Sequence, residues 1–284
     1  MREAGTAARC LVRSREKAVG LERRGFEAHL GDVTEQRGLA GAGRGIEIAY
    51  YLVHSMAGGG DFAARERLGA SNFARMARRE GVERVVYLGG LGGEGVSEHL
   101  RSRHETASIL AADGPPLTYF RAAMVVGAGS ESYRTLRYLV GRLPVMLAPA
   151  WLDTDTQPIG VDAAVEYLRW APDVPESAGR EVQIGGPDIL TYAEMLDRMA
   201  DAMDMRRRPK LPLPFVTPWL SSLWLGLVTP VDTSVARPLV EGLTTPTVVT
   251  DPSGAEPFGI VPESFDTALR RALAEERFQE SGEG

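Results

Sequence analysis

The chain has 284 residues, 44% of them apolar, 25% charged and 7% aromatic. These proportions exclude collagen, extended disorder and coiled coil, and the length allows one large α/β domain or two small ones. A formal net charge of −6 argues against a general nucleic-acid binder, because phosphate contacts need a basic surface.

The chain opens with a short strand at 9–12 and a second at 26–30, ended by Gly31 and Asp32. Residues 46–53 (IEIAYYLV) form a strongly apolar, β-branched and aromatic run, the pattern of a strand buried on both faces. A helix over 61–80 sets Phe62, Leu68, Phe73 and Met76 on one inward face. A strand at 82–88, a helix at 97–112 and a strand at 117–126 follow. Strands alternating with helices at this spacing predict right-handed βαβ units and a parallel sheet.

After residue 130 the pattern changes. Helices are expected at 130–143, 161–170 and 192–203, with short strands at 156–159 and 181–184. Thr191 and Glu194 have the spacing of a capping box. Proline-punctuated helices at 218–227, 233–243 and 264–277 complete a small, mostly helical C-terminal subdomain. The expected division is a nucleotide-binding domain over 1–150, a substrate or partner subdomain over 151–278 and a frayed tail over 279–284.

His29, His54, His99, His104 and the single cysteine, Cys10, show no metal-ligand spacing, so no metal is expected. One cysteine excludes an intramolecular disulfide and fits a reducing, cytoplasmic setting. The opening MREAGTAARC lacks the apolar run of a secretory signal. The apolar stretch 211–231 carries Pro212, Pro214, Pro218 and Pro230, which argues against a membrane-crossing helix and leaves peripheral membrane contact open. The sequence does not set an oligomeric state.

Dinucleotide binding normally announces itself as a strand, a G-x-G-x-x-G loop and a helix. None of the three glycine clusters fits. Gly41, Gly43 and Gly45 precede a strand; Gly58 to Gly60 are badly spaced; Gly89, Gly90, Gly92 and Gly93 lie too far from the next helix.

A series of motifs in fixed order is more informative. REAGTAARCLVRS at the start, Gly31-Asp32-Val33, YYLVHSM from Tyr50, VYLGGLG from Val86, HLRSR from His99 and LRYLVGRLPVM from Leu136 come first. TQPIGVDAAVEYL from Thr156, IGGPDILTYAEM from Ile184 and LSSLWLGLVTPV from Leu220 complete it. Together they resemble the atypical, extended short-chain dehydrogenase/reductase-like proteins, close to the NmrA-like NAD(P)H-binding subgroup. The 39-kDa subunit of respiratory complex I is a more distant relative. The resemblance implies that the family's first strand and glycine loop are absent from the chain and that its start is assigned about two dozen residues too far downstream. The resemblance implies a doubly wound, parallel Rossmann sheet of order 3-2-1-4-5-6, in which that strand is central, so an N-terminally truncated sheet is expected whose second and fourth strands either close the gap or leave backbone donors and acceptors exposed.

The same resemblance assigns site residues. Arg13, at the end of the second strand, suits the 2′-phosphate of NADP, where an acid would select NAD; the alternative is a solvated arginine among Arg9, Arg13 and Arg15. Asp32 and the Val33 backbone would contact adenine, or Asp32 caps the segment near Thr34. Leu52, Val53 and His54 would pass the ribose, His54 either donating a proton or bonding locally. Gly89 and Gly90 stand where reductases of this superfamily carry a catalytic serine. The Tyr-x-x-x-Lys pair maps onto His99 and Arg103, which either retain proton transfer and ribose binding or form a polar helix face. Arg121, Ala122 and Ala123 would pass the nicotinamide, with a structural ion pair as the alternative for Arg121. The apolar helix around Trp219 and Trp224 is either subdomain core or a surface for a quinone-like or lipid ligand. Two functions follow as expectations: an NADPH-dependent reductase of a small molecule, or a non-catalytic nucleotide-binding sensor or accessory factor.

Overall fold

The computed structural model describes residues 7–53, 62–92, 97–143, 145–212 and 243–281. Strand β1 (Arg9–Val12) leads through helix α1 (Arg15–Arg23) to β2 (Glu27–Leu30), which pairs with β1 in parallel, Arg9 opposite Glu27 and Val12 opposite Leu30. Ser14 caps α1 by accepting from the Lys17 amide. Strand β3 (Ile48–Tyr51), helix α2 (Phe62–Arg79) and strand β4 (Arg84–Gly90) make the next βαβ unit, with β3 and β4 parallel and Tyr51 opposite Tyr87. Helix α3 (Glu98–Asp113) then leads to β5 (Leu117–Ala122).

Beyond β5 come β6 (Val125–Val126), α4 (Glu131–Arg142), β7 (Met146–Ala148), β8 (Asp155–Thr156), β9 (Ile159–Gly160) and α5 (Val161–Trp170). Strand β10 (Glu181–Ile184), β11 (Leu190–Thr191), α6 (Tyr192–Ala202), β12 (Lys210–Pro212) and α7 (Phe265–Glu280) complete the described elements.

The main sheet has four strands in the order β10-β5-β4-β3, and β1-β2 form a separate parallel pair. This is the doubly wound α/β Rossmann architecture. Among the described residues no strand pairs with β1 other than β2, and none with β3 other than β4.

Three expected boundaries moved for physical reasons. The strand over 117–126 is two strands, because the chain leaves β5 after Ala122 and β6 pairs instead with β9. The strand over 156–159 is also divided: Pro158 has no N–H to give a ladder, and β8 pairs with β11 on one side of it. Helix α7 runs to Glu280, into the segment expected to fray. The helices expected at 218–227 and 233–243, with Trp219 and Trp224, lie outside the described residues, apart from Leu243. Among those described, no helix is long and apolar enough to cross a membrane.

The chain forms two compact units. The first comprises Met1–Leu88, Ser102–Tyr119 and Arg169–Glu181; the second, Gly89–Arg101, Phe120–Leu168 and Val182–Gly284. In the first, Leu39, Tyr51, Phe73, Met76, Val85, Leu110 and Leu117 form the core. Tyr51 tilts against Phe73 at 4.9 Å between centroids, and Tyr87 stacks on Tyr119 at 5.3 Å. Near the base of this unit, the Glu80 carboxylate accepts from the Gly41 and Gly43 amides, both at 2.6 Å. The Arg9 guanidinium donates to the carbonyls of Gly41, Ala42 and Arg44. The glycine cluster before β3 is thus a loop built by its own ion-assisted bonds.

In the second unit, Tyr133, Val140, Trp151, Tyr192, Met195, Met199 and Leu269 form the core, with α4 on α6 and α6 on α7. Tyr133 donates to Glu276 at 2.9 Å, and Arg137 pairs with the same carboxylate. The capping box of α6 is complete: Glu194 N donates to Thr191 Oγ1 at 3.1 Å, and Thr191 N to Glu194 Oε2 at 2.8 Å.

Candidate functional site

Parallel α/β sheets bind ligands outside the carboxyl ends of their strands. In the first unit those ends carry Arg13 after β1, Gly31 to Val33 after β2, and Leu52 and Val53 after β3.

Gly31 is required sterically, since a Cβ there would lie 2.1 Å from the Gly38 carbonyl oxygen. The tight passage delivers Asp32 beside Arg13. Asp32 Oδ1 accepts from both the amide and the hydroxyl of Thr34, each at 2.8 Å, while Oδ2 stands 3.9 Å from Arg13 Nη1. Partial burial pushes the Asp32 carboxyl up, but the two Thr34 bonds and the Arg13 charge outweigh it and hold the group below its ordinary value. Asp32 therefore fastens its own turn and keeps one oxygen turned to the arginine. The Arg13 side chain is 80% exposed and keeps its planar fork open to an incoming anion.

The Val33 carbonyl accepts from Asn72, a buried side chain of α2, at 3.0 Å. Leu52 and Val53 are 49% and 38% exposed, and Leu30 at the end of β2 is exposed as well. All three lie at or just beyond the carboxyl ends of their strands. His54 lies outside the described residues.

In the second unit, buried Gly89 and half-buried Gly90 end β4. The Arg121 side chain reaches two backbone carbonyls. Its Nε donates to the Gly90 carbonyl at 3.2 Å, and its Nη2 donates to the Gly92 carbonyl. Leu91 N donates to the Ala122 carbonyl at 2.8 Å, and Ala122 is buried. Ala123, half-buried, follows directly.

His99 and Arg103 both belong to α3; the His99 side chain is outside the described residues. Arg103 is half-buried, and its carbonyl accepts from the Tyr87 hydroxyl at 3.4 Å. Burial pushes Tyr87 up to about 12, the Arg103 charge opposing it. Beside Arg103, the buried Ser102 hydroxyl donates to the buried Glu66 carboxylate of α2. Sequence reading did not find Asn72, Glu66 or Ser102. Each is a polar residue on a helix face that reads as solvent-facing, and only its burial marks it.

The geometry therefore brings Arg13 to Asp32, and Arg121 to Gly90 and Ala122. Among the described residues no group of three or more His, Cys, Asp and Glu side chains could hold a metal ion.

No protein-family profile matches the chain, and no curated protein matches its sequence. Solved structures do match. Triphenylmethane reductase from Citrobacter sp., complexed with NADP(H), superposes with a TM-score of 0.72 at 16% identity, over 93% of this chain and 90% of that one. The NADPH-dependent quinone oxidoreductase of Escherichia coli, complexed with NADPH, gives 0.69 at 15% identity over 94% and 89%. A short-chain dehydrogenase/reductase superfamily protein from Agrobacterium tumefaciens, with bound NAD, gives 0.68 at 14% identity over 99% and 93%. The chain shares the fold of these proteins. Within it, the Arg13–Asp32 pair and the Arg121-bound glycines occupy the carboxyl ends of parallel-sheet strands.

Proposed function

We propose that this chain binds a nicotinamide dinucleotide, NADPH in preference to NADH, and reduces a small organic molecule. The observation that carries the reading is the open guanidinium of Arg13 beside Asp32 at the end of β1. Two solved neighbours of the same fold are complexed with NADP(H) and NADPH, which supports the choice of cofactor.

The cofactor would supply the hydride. Arg13 would hold the 2′-phosphate. Asp32 and the Val33 backbone would face the adenine, and Leu52 and Val53 would lie against the ring and ribose. Gly89, Gly90, Ala122 and Ala123 would border the nicotinamide end, since none of them projects a large side chain. His99 would give the proton and Arg103 would steady a ribose or phosphate oxygen. The reading includes a cytoplasmic location, supported by a single, free cysteine, Cys10.

The test is a fluorescence titration of the full chain with NADPH and NADH, followed by a screen of NADPH consumption over quinones and carbonyl compounds. NADPH should bind the more tightly, and Arg13→Ala should weaken NADPH about tenfold or more while leaving NADH within about twofold, the loss expected when a charge-assisted phosphate contact goes. Equal affinities in the unaltered protein would refute the NADP preference.

A second reading has its own observation. Gly89 and Gly90 offer no hydroxyl at the end of β4, where a reductase of this superfamily would carry serine. A protein that binds NADPH tightly, turns over nothing in the screen and is indifferent to His99→Ala would be a nucleotide-binding sensor or accessory factor.

A further inference from the structure

We propose that Arg121 is a positioning residue: it fixes the backbone at the carboxyl end of β4 in the shape that receives the nicotinamide half of the cofactor. The inference rests on the nucleotide-binding reading given above.

Three bonds hold three consecutive residues. The Arg121 side chain takes the carbonyls of Gly90 and Gly92, and the neighbouring Ala122 carbonyl takes the amide of Leu91 between them. All the contacts come from two adjacent residues of β5 and so act as one clamp. The segment needs a clamp because it contains glycines, which by themselves roam a wide range of backbone angles. Gly92 sits at φ 147°, in the left-handed half of backbone space that other residues rarely adopt. Leu91, in contrast, is buried and anchored.

The choice of arginine follows from geometry. A guanidinium is a flat fork with five N–H donors in fixed directions and stays protonated at any working pH. It can bridge two carbonyls that stand one residue apart. A lysine ammonium carries the same charge on a flexible stem and cannot hold both in one plane. Glycine backbone that lacks side chains allows close approach by a planar ring, provided its shape is set beforehand; Arg121 sets it.

The experiment uses the full chain with Arg121→Lys, Arg121→Gln and an exposed control, Arg134→Met, whose guanidinium pairs with Glu131 on the same helix. Amide exchange at Leu91, thermal unfolding and NADPH affinity are measured on each. In both Arg121 variants, Leu91 should exchange at least about tenfold faster, and NADPH should bind about tenfold more weakly, the loss expected of one or two hydrogen bonds. The control should change neither. Native exchange and native affinity in Arg121→Lys would overturn the inference, because charge alone would then suffice. Faster exchange with unaltered NADPH affinity would overturn it too, since Arg121 would then be a strut of the fold. If the unaltered protein binds no NADPH, the nucleotide reading fails first and takes this inference with it.

Discussion

Strands β4 and β1 begin from similar sequences and end in different environments. β4 (RVVYLGG) places Val85, Val86 and Tyr87 in full burial, at 0%, 0% and 1% exposure. β1 (RCLV) is half-buried along its whole length, and its crossover helix α1 buries no residue at all. A hollow of about 550 Å³ opens along one side of α1, lined by Arg15, Glu16, Val19, Gly20 and Arg23. The cause is position in the sheet. β4 has a hydrogen-bonded strand on each side, β5 and β3, whereas among the described residues β1 pairs with β2 alone. A parallel strand gains its burial from neighbours on both edges and helices on both faces, and an apolar run alone does not supply them.

The comparison is sharpest where a buried ring is removed from the main sheet. Phe120 of β5 is fully buried and packs edge-on against Phe258 at 5.5 Å. Phe120→Ala should destabilise the protein by about 3–5 kcal/mol in urea unfolding. A loss below about 1 kcal/mol would mean that the sheet is no better packed than the β1-β2 pair.

Next comes the loop that ties β1 to the start of β3. Glu80→Ala leaves the amides of Gly41 and Gly43 without the carboxylate they share. A loss of about 2–3 kcal/mol is expected, with Glu80→Gln recovering part of it. If Glu80→Ala unfolds at the native urea midpoint, packing alone holds this region.

The tyrosines of β3 and β4 give a pH-dependent version. Burial lifts Tyr50 and Tyr87 to about 12. A phenol raised above its unfolded value of about 10 stabilises the fold fully below that pH. The contribution is then lost as pH climbs from about 10 toward 12, since the unfolded chain gives up its proton first. Stability should fall over that range and fall less in Tyr87→Phe. Complete tyrosine ionisation near pH 10 in protein that remains folded by circular dichroism would contradict the burial of these rings.

The smallest effect belongs to α1. Val19 is exposed beside the hollow, so Val19→Ser should change stability by no more than about 0.5 kcal/mol. A loss approaching 2 kcal/mol would show that this face is covered in solution.

The amino-acid order alone determined the alternation of strands and helices through β5, the inward face of α2 and the capping box at Thr191 and Glu194. Those features arise between residues a few positions apart, where periodicity and a single cap settle the outcome. The tertiary structure decided which apolar runs became core, as the contrast between β1 and β4 shows. It also decided that Arg121 binds the carbonyls of Gly90 and Gly92, that Glu80 reaches back to Gly41 and Gly43, and that Glu66 meets Ser102 out of water. Each of those contacts joins residues about thirty or more positions apart, and no local pattern specifies where a long polar side chain will find its partner.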